Sequence, residues 1–299
     1  MASAGFEKNS SSVKCSLVRP AGKIAAVFVV LCVALLTCLL LSACSEESSE
    51  KQPQLEYKTE LMQEDTLKVL VSLDYPPFSD GTLEDAWGYD VAVSQELADR
   101  LGLTLELVPV SRESIIQVLA CEPASTVSEE EPPDQQGDVA IAALAITEER
   151  DEKVDFSSWY YVGNQAVVTL DGAYQSTTEF DAKKTRVAVV KGSTCLETAQ
   201  ALTDEKLIVE YSTARRCLQA LQAKEVQAVV LDLPVASYLI EDEFKGMRIL
   251  ERIMTGEAYG VAVPIQSIHL KDAVNKALEE MEEDGTLERL EDEYVKQSY

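Results

Sequence analysis

The 299-residue chain carries 26 Lys and Arg against 52 Asp and Glu, a formal net charge of −26. So acidic a surface repels phosphate backbones, and no basic cluster offsets it, which excludes nucleic acid as a partner and suits solubility. Apolar residues at 46% and charged residues at 26% are ordinary globular usage rather than that of a disordered chain, and the length favours two lobes sharing a cleft over one core.

Lys8, Lys14, Arg19 and Lys23 precede an apolar run over residues 24–41, the charged-then-apolar order of an export signal. The run ends at Leu41-Ser42-Ala43-Cys44, which resembles a bacterial lipobox, where small residues admit the peptidase and the cysteine thiol takes the lipid. Residues 1–44 are therefore expected to be a lipoprotein signal peptide, with Cys44 as the lipidation site and the protein anchored to the outer face of the cell membrane. An uncleaved transmembrane helix is the competing reading, since the run approaches spanning length. Either reading puts the remainder outside the cytoplasm. Residues 45–65, rich in Ser, Glu, Lys and Gln, are expected to form a flexible tether.

From residue 67 onward, short apolar runs alternate with helical patterns, which predicts an α/β architecture on largely parallel sheets. Strands are expected at 67–71, 105–108 and 138–142, with helices at 89–101 and 114–120. The first helix carries Val93, Leu97 and Leu101 at four-residue spacing and ends at Gly102. Residues 121–137, acidic and proline-bearing, read as an exposed insertion. A second series follows: strands at 186–190, 207–210 and 226–231, helices at 194–202 and 213–223. Beyond it come a helix at 234–244, strands at 248–250 and 259–263, and two terminal helices. Of these, the first presents Leu270, Val274, Leu278 and Met281 and stops at Gly285; the second presents Leu287, Leu290 and Tyr294.

Asp74-Tyr75-Pro76-Pro77-Phe78, Gly88-Tyr89-Asp90, Ile146-Thr147 with Arg150, Val154-Asp155-Phe156-Ser157, Lys191-Gly192-Ser193-Thr194, residues 226–232, Ala277-Leu278 and Asp284-Gly285-Thr286-Leu287 follow one another in this order. Together, behind a lipobox, they resemble the amino-acid-binding family of type II periplasmic binding proteins, substrate-binding components of ABC transporters. The resemblance spans residues 67–295. It implies two Rossmann-like α/β lobes joined by two crossover strands, placed near 161–166 and 256–259. Lobe 1 would then combine 66–164 with 256–299, and lobe 2 would span 165–255. Ligands of open α/β sheets bind beyond the carboxyl ends of the strands, which puts a small solute between the lobes.

The resemblance implies a role for each of several residues. Arg150 matches the arginine that grips the α-carboxylate, a task suited to a planar guanidinium; a solvated arginine at a helix start is the alternative. Asp232 matches the acid that holds the α-ammonium, although its position two residues before Pro234 also suits a helix cap. Ser193 and Thr194 stand where a strand gives way to a helix, so their N–H groups and the helix dipole would favour an anion, or simply cap the helix. Tyr75 matches an aromatic that lies against the ligand, with Pro76-Pro77 holding its loop extended; a core tyrosine is the alternative. Ala143 and Ala145 fall in the loop that lines the carboxylate site. Trp159-Tyr160-Tyr161 are assigned to packing at the lobe junction. Three departures bear on the ligand: Ala145 stands where relatives carry Ser or Thr, an acid near Ser72 is absent, and Arg112 replaces an aromatic. Losing an acid and gaining a base suggests an acidic or strongly polar ligand.

Cys195 and Cys217 lie near the starts of successive helices in one lobe, on the same edge of a parallel sheet, so a disulfide between them and two free thiols are equally open. His269, the only histidine, sits at a helix beginning and is expected to be a surface or packing residue. No phosphate-binding glycine loop, zinc-type Cys/His spacing or nucleophile elbow occurs, and no cofactor is expected. The carboxylate run over residues 279–284 reads as a solvated helix face. The function these features imply is capture of an amino acid by a monomer, with delivery to an ABC permease through lobe closure. Two rivals are a dehydratase-type enzyme on the same fold and a sensory module serving a separate receptor.

Overall fold

The computed structural model describes residues 56–120 and 136–296; Cys44 and most of the acidic insertion lie outside them. Strand β1 (Thr66–Val71) is buried at every position but Lys68, as expected of a parallel strand covered on both faces. It pairs in parallel with β4 (Thr104–Pro109) and β5 (Val139–Ala140). A second parallel group centres on β7 (Val187–Val190), flanked by β8 (Ile208–Tyr211) and β9 (Ala228–Asp232). A short hairpin, β2 (Asp74–Tyr75) with β3 (Ser79–Asp80), stands apart from both groups.

Two long antiparallel strands link the groups: β6 (Asp155–Leu170) and β10 (Met247–Val263). They give one eight-stranded sheet in the order β4-β1-β5-β10-β6-β9-β7-β8. β10 meets the first group at Ala262↔Ala140, and β6 meets the second from Gln165↔Asp232 to Val168↔Val229. This is the anticipated pair of lobes joined by two crossovers. The strands expected at 248–250 and 259–263 are the two ends of β10, and β6 is a strand where only a short extended stretch was anticipated. Their apolar residues do not alternate, because each strand changes its neighbours halfway along. Between Ile253↔Gln165 and Glu257↔Gly163 the register slips, with Gly256 at φ 62°. Such a bulge bends a strand and increases its twist, and here it sits at the passage from one lobe to the other.

Helices α1 (Tyr89–Leu101), α2 (Ile115–Leu119) and α3 (Glu148–Asp151) follow strands of the first lobe. In the second lobe stand α4 (Cys195–Leu202), α5 (Ala214–Gln222) and α6 (Leu233–Asp242). The terminal α7 (Ile268–Glu283) and α8 (Thr286–Tyr294) return to pack on α1. Leu270, Val274, Leu278 and Met281 are the buried stripe of α7, as their spacing predicts. Among the described residues no helix is long and apolar enough to cross a membrane.

The tether expected to reach residue 65 ends earlier. Tyr57 is buried and donates to the Leu101 carbonyl at 2.7 Å. Glu60 accepts from the backbone N–H groups of His269 and Leu270 at 3.2 and 2.8 Å, capping α7. A carboxylate there meets orphan donors and the positive end of the helix dipole. His269 is exposed, as expected, and pairs with Glu56 and Glu60.

No disulfide joins Cys195 and Cys217; both are buried free thiols. They share an edge of the sheet but not a face. Cys195 packs with Val167, Val187, Val189 and Val230, whereas Cys217 packs with the alternate residues Val168, Ala188, Val190, Val229 and Leu231. The cause is topology. The β7-α4-β8 crossover moves outward and β8-α5-β9 moves back past β7, and right-handed crossovers in opposite directions lie on opposite faces. Alkylation of denatured, unreduced protein should therefore label both thiols in peptide mass spectra; a cross-linked peptide pair would contradict this arrangement.

Gly88 opens α1 at φ 121°, and a Cβ there would fall 2.3 Å from the Phe78 carbonyl oxygen. Gly88→Ala should cost about 2 kcal/mol or more through left-handed strain and backbone clash, seen as a lowered melting temperature.

Candidate functional site

The carboxyl end of β9 delivers Asp232 into the space between the lobes. Pro234 lies in the first turn of α6, yet the Asp232 side chain makes no capping bond to that helix. Instead its Oδ2 accepts from the Tyr75 phenol at 2.7 Å, a bond from one lobe to the other, and Cys195 Sγ lies 3.8 Å from Oδ1. Asp232 is 3% exposed and Tyr75 1%. Tyr75 reaches this point from the β2–β3 hairpin, whose turn is closed by Phe78 N–H donating to the Tyr75 carbonyl at 3.0 Å. The loop expected to run extended therefore doubles back, as the antiparallel pairing of Tyr75 with Ser79 requires; the Pro76–Pro77 bond inside it is cis.

Arg112, in the loop after β4, is also buried. Its guanidinium carbon lies 4.0 Å from the Tyr75 ring centroid, and its Nη2 lies 4.0 Å from Asp232 Oδ2. The same group donates to the carbonyls of Ala142 and Ala143, the latter at 2.8 Å. Ala143 has φ 48°, a conformation costly for a residue with a Cβ and typical of sites the surrounding structure over-determines. Behind Ala143, its N–H donates to the Tyr160 hydroxyl, which donates to buried Asp90. Burial pushes the Asp90 carboxyl up to about 7, against the pull of the Tyr160 bond and of Arg112.

Arg150 sits on α3, whose N-cap Thr147 accepts from the Arg150 N–H. Its guanidinium donates to the Ala145 carbonyl and, across the cleft, to the Gly192 carbonyl, both at 2.8 Å. Ala145 bridges Tyr259 of β10, with Ile146 N–H donating to Ala258 and Gly260 N–H to Leu144. In that antiparallel pattern the N–H and C=O of Ala145 itself turn away from β10, toward Arg150. Burial lowers the Arg150 pKa, as does the like charge of Arg112, while Asp232 and Glu257 raise it. Arg150, Arg112 and Asp232 thus act on one another within a single site.

Ser193 and Thr194 precede α4. The Ser193 hydroxyl donates locally to the Val190 carbonyl at 2.7 Å. Thr194 Oγ1 accepts from Gln165 Nε2 at 3.2 Å, and Gln165 also donates to Glu257 Oε1 at 2.9 Å. Glu257, Gln165 and Tyr259 are site residues that the sequence did not reveal. They lie on the crossover strands, where register brings Gln165 opposite Asp232 and Tyr259 opposite Tyr161, and with β6 unrecognised as a strand no signal pointed to them. Burial raises the Glu257 carboxyl pKa, as does the nearby Asp232. Cross-lobe contacts rim the site: Arg215 forks onto Asp80 at 3.1 and 2.6 Å, Lys191 meets Glu113 at 2.5 Å, and Trp87 packs on Tyr238.

A two-lobed α/β molecule with buried, opposed charges between its lobes is a solute-binding architecture. The chain belongs to the bacterial extracellular solute-binding proteins, family 3, which residues 67–297 match. It is 26% identical over 285 residues to the ABC transporter glutamine-binding protein GlnH of Bacillus subtilis (strain 168), covering 91% of this chain and 97% of that one. It is 28% identical to the L-cystine-binding protein TcyJ of Escherichia coli (strain K12), over 77% of this chain and 82% of that one. Among solved structures, an ancestral arginine-binding protein bound to glutamine superposes with a TM-score of 0.67 at 30% identity, covering 78% of this chain and 98% of the other. The ancestral amino acid-binding protein AncCDT-1, a precursor of cyclohexadienyl dehydratase, superposes with a TM-score of 0.66 at 26% identity, over 77% and 95%.

Tyr75→Phe should weaken closure of the lobes by removing the phenol–Asp232 bond. A neutral donor to a charged acceptor contributes roughly 1.5–3 kcal/mol, so ligand affinity measured by titration calorimetry should fall about tenfold or more.

Proposed function

We propose that the protein captures an amino acid for an ABC importer and hands it to the permease as its lobes close. The observation that carries this reading is the placement of Arg150 and Asp232, a half-buried cation from one lobe and a buried anion from the other, within one site. A zwitterion fits that pair: its α-carboxylate on the Arg150 guanidinium and the Ala145 N–H, its ammonium on Asp232. Glutamine, cystine and arginine recognition by the relatives supports the same class. Lobe 1 (66–164 with 256–299) and lobe 2 (165–255) would rotate about the bulge in β10, and the rim contacts Asp80–Arg215 and Glu113–Lys191 would form on closure. The protein works as a monomer, extracytoplasmic, held at the membrane through lipid on Cys44. No catalysis is required of it.

The enzymatic alternative would need a general acid, and Glu257 is the cleft carboxyl whose raised pKa fits one. Product formed from prephenate or arogenate would favour that reading over transport.

A thermal-shift panel of the common amino acids on the purified protein tests the proposal, since a ligand preferring the native state raises apparent stability. At least one should raise the melting temperature, and none should do so for Arg150→Met, which removes charged hydrogen bonds to the ligand of roughly 1.5–3 kcal/mol each. Lipid anchoring is read separately: labelled palmitate should enter the wild-type protein and not Cys44→Ala, which should leave the membrane fraction.

A further inference from the structure

The described residues of the site hold two buried donors that nothing in the fold satisfies. Arg112 Nε has no hydrogen-bond partner, and neither has the Tyr259 hydroxyl. The great majority of buried polar atoms in native proteins are paired, and each exception calls for a physical reason, a missing ligand group among them. The two donors belong to one cluster: Arg112 lies on the Tyr75 ring, and Phe78 packs between the Tyr75 and Tyr259 rings, with centroids at 6.4 and 5.7 Å. Arg112 and Tyr259 also lie within electrostatic reach of each other. The remaining orphan near Asp232 is an acceptor, Glu257 Oε2.

Arg112 is fixed rather than adaptable. The carbonyls of Ala142 and Ala143 hold its terminal nitrogens, the strained Ala143 backbone contributing the second. Of its carboxylate neighbours, Asp90 is engaged by Tyr160, and Asp232 stands at 4.0 Å, outside hydrogen-bond distance, and is already engaged by Tyr75. The site therefore holds a second guanidinium that neither the α-carboxylate nor the α-ammonium of a zwitterion requires.

We infer that Arg112, with Tyr259, selects an amino acid with an acidic side chain, whose second carboxylate accepts from Arg112 Nε–H and the Tyr259 O–H while the ammonium shares Asp232 with Glu257. This inference rests on the amino-acid reading above and names the ligand class within it. An uncharged side chain leaves the buried guanidinium without an anion at bonding distance, and a cationic one meets it with like charge.

Titration calorimetry of the wild-type protein with L-glutamate and L-glutamine, near-isosteric and different in charge, reads the inference without any substitution; L-aspartate with L-asparagine and L-arginine alone complete the set. One acidic amino acid should bind at least about tenfold tighter than its amide, and Arg112→Gln should shrink that ratio below about threefold. Tighter binding of an amide or of L-arginine by the wild type would overturn the inference and leave the amino-acid reading standing. Binding of no amino acid at all would remove both. An acidic preference unchanged in a folded Arg112→Gln protein, with its melting temperature retained, would remove Arg112 from the role.

Discussion

Asp232 and Arg112 place opposite charges 4.0 Å apart at sites that are 3% and 8% exposed. At the effective dielectric suited to protein sites, their attraction is about 4 kcal/mol. Removing each ion from water costs several kcal/mol, so attraction alone does not hold them there. The difference is met by hydrogen bonds: the Tyr75 phenol on Asp232, and the Ala142 and Ala143 carbonyls on Arg112. Each of these partners depends on a distant element, the β2–β3 hairpin, the loop after β5 and the end of β9. The geometry of the cleft is therefore a condition on how the two lobes meet, and a fold serving stability alone would fill that space with apolar side chains.

The crossover strands make the meeting of lobes variable without unfolding either one. Each lobe keeps its own parallel strands, while β6 and β10 change neighbours partway along and slip register at the bulge between Ile253 and Glu257. Gly163 faces Tyr259 there, and a Cβ on it would fall 2.6 Å from the phenol oxygen, so the glycine makes room for that hydroxyl beside the site. Polar groups around the cleft thus lie on three kinds of support: strand ends, helix starts and the crossovers themselves.

Strands 67–71 and 187–190 were legible as short apolar runs because both faces of each are covered, and the helices at 89–101 and 195–202 because burial on one face imposes a period on sequence. The crossovers were placed at 161–166 and 256–259 through the resemblance, but their full length was not legible, since β6 and β10 pass from one neighbour to another and carry no single period. Arg150, on the helix beyond β5, and Asp232, at the end of β9, were proposed for the site from position and from resemblance to known binding proteins. Gln165, Glu257 and Tyr259 could not be, for their place depends on register across the crossovers. The disulfide reading of Cys195 and Cys217 saw the shared edge correctly; sequence gave no sign that β8, at the sheet's margin, sends the two helices to opposite faces.

The central claim is that Asp232 recognises an ammonium group carried by the ligand. Calorimetric titration of wild-type and Asp232→Asn proteins, each with the tightest-binding amino acid and with its deaminated analogue, forms a cycle that isolates that contact. The account predicts that the wild type prefers the amino acid by about a hundredfold, in line with the roughly 2–5 kcal/mol of a buried charge pair, and that the preference disappears in Asp232→Asn. Equal losses for both ligands in the variant, with the wild-type preference intact, would contradict it.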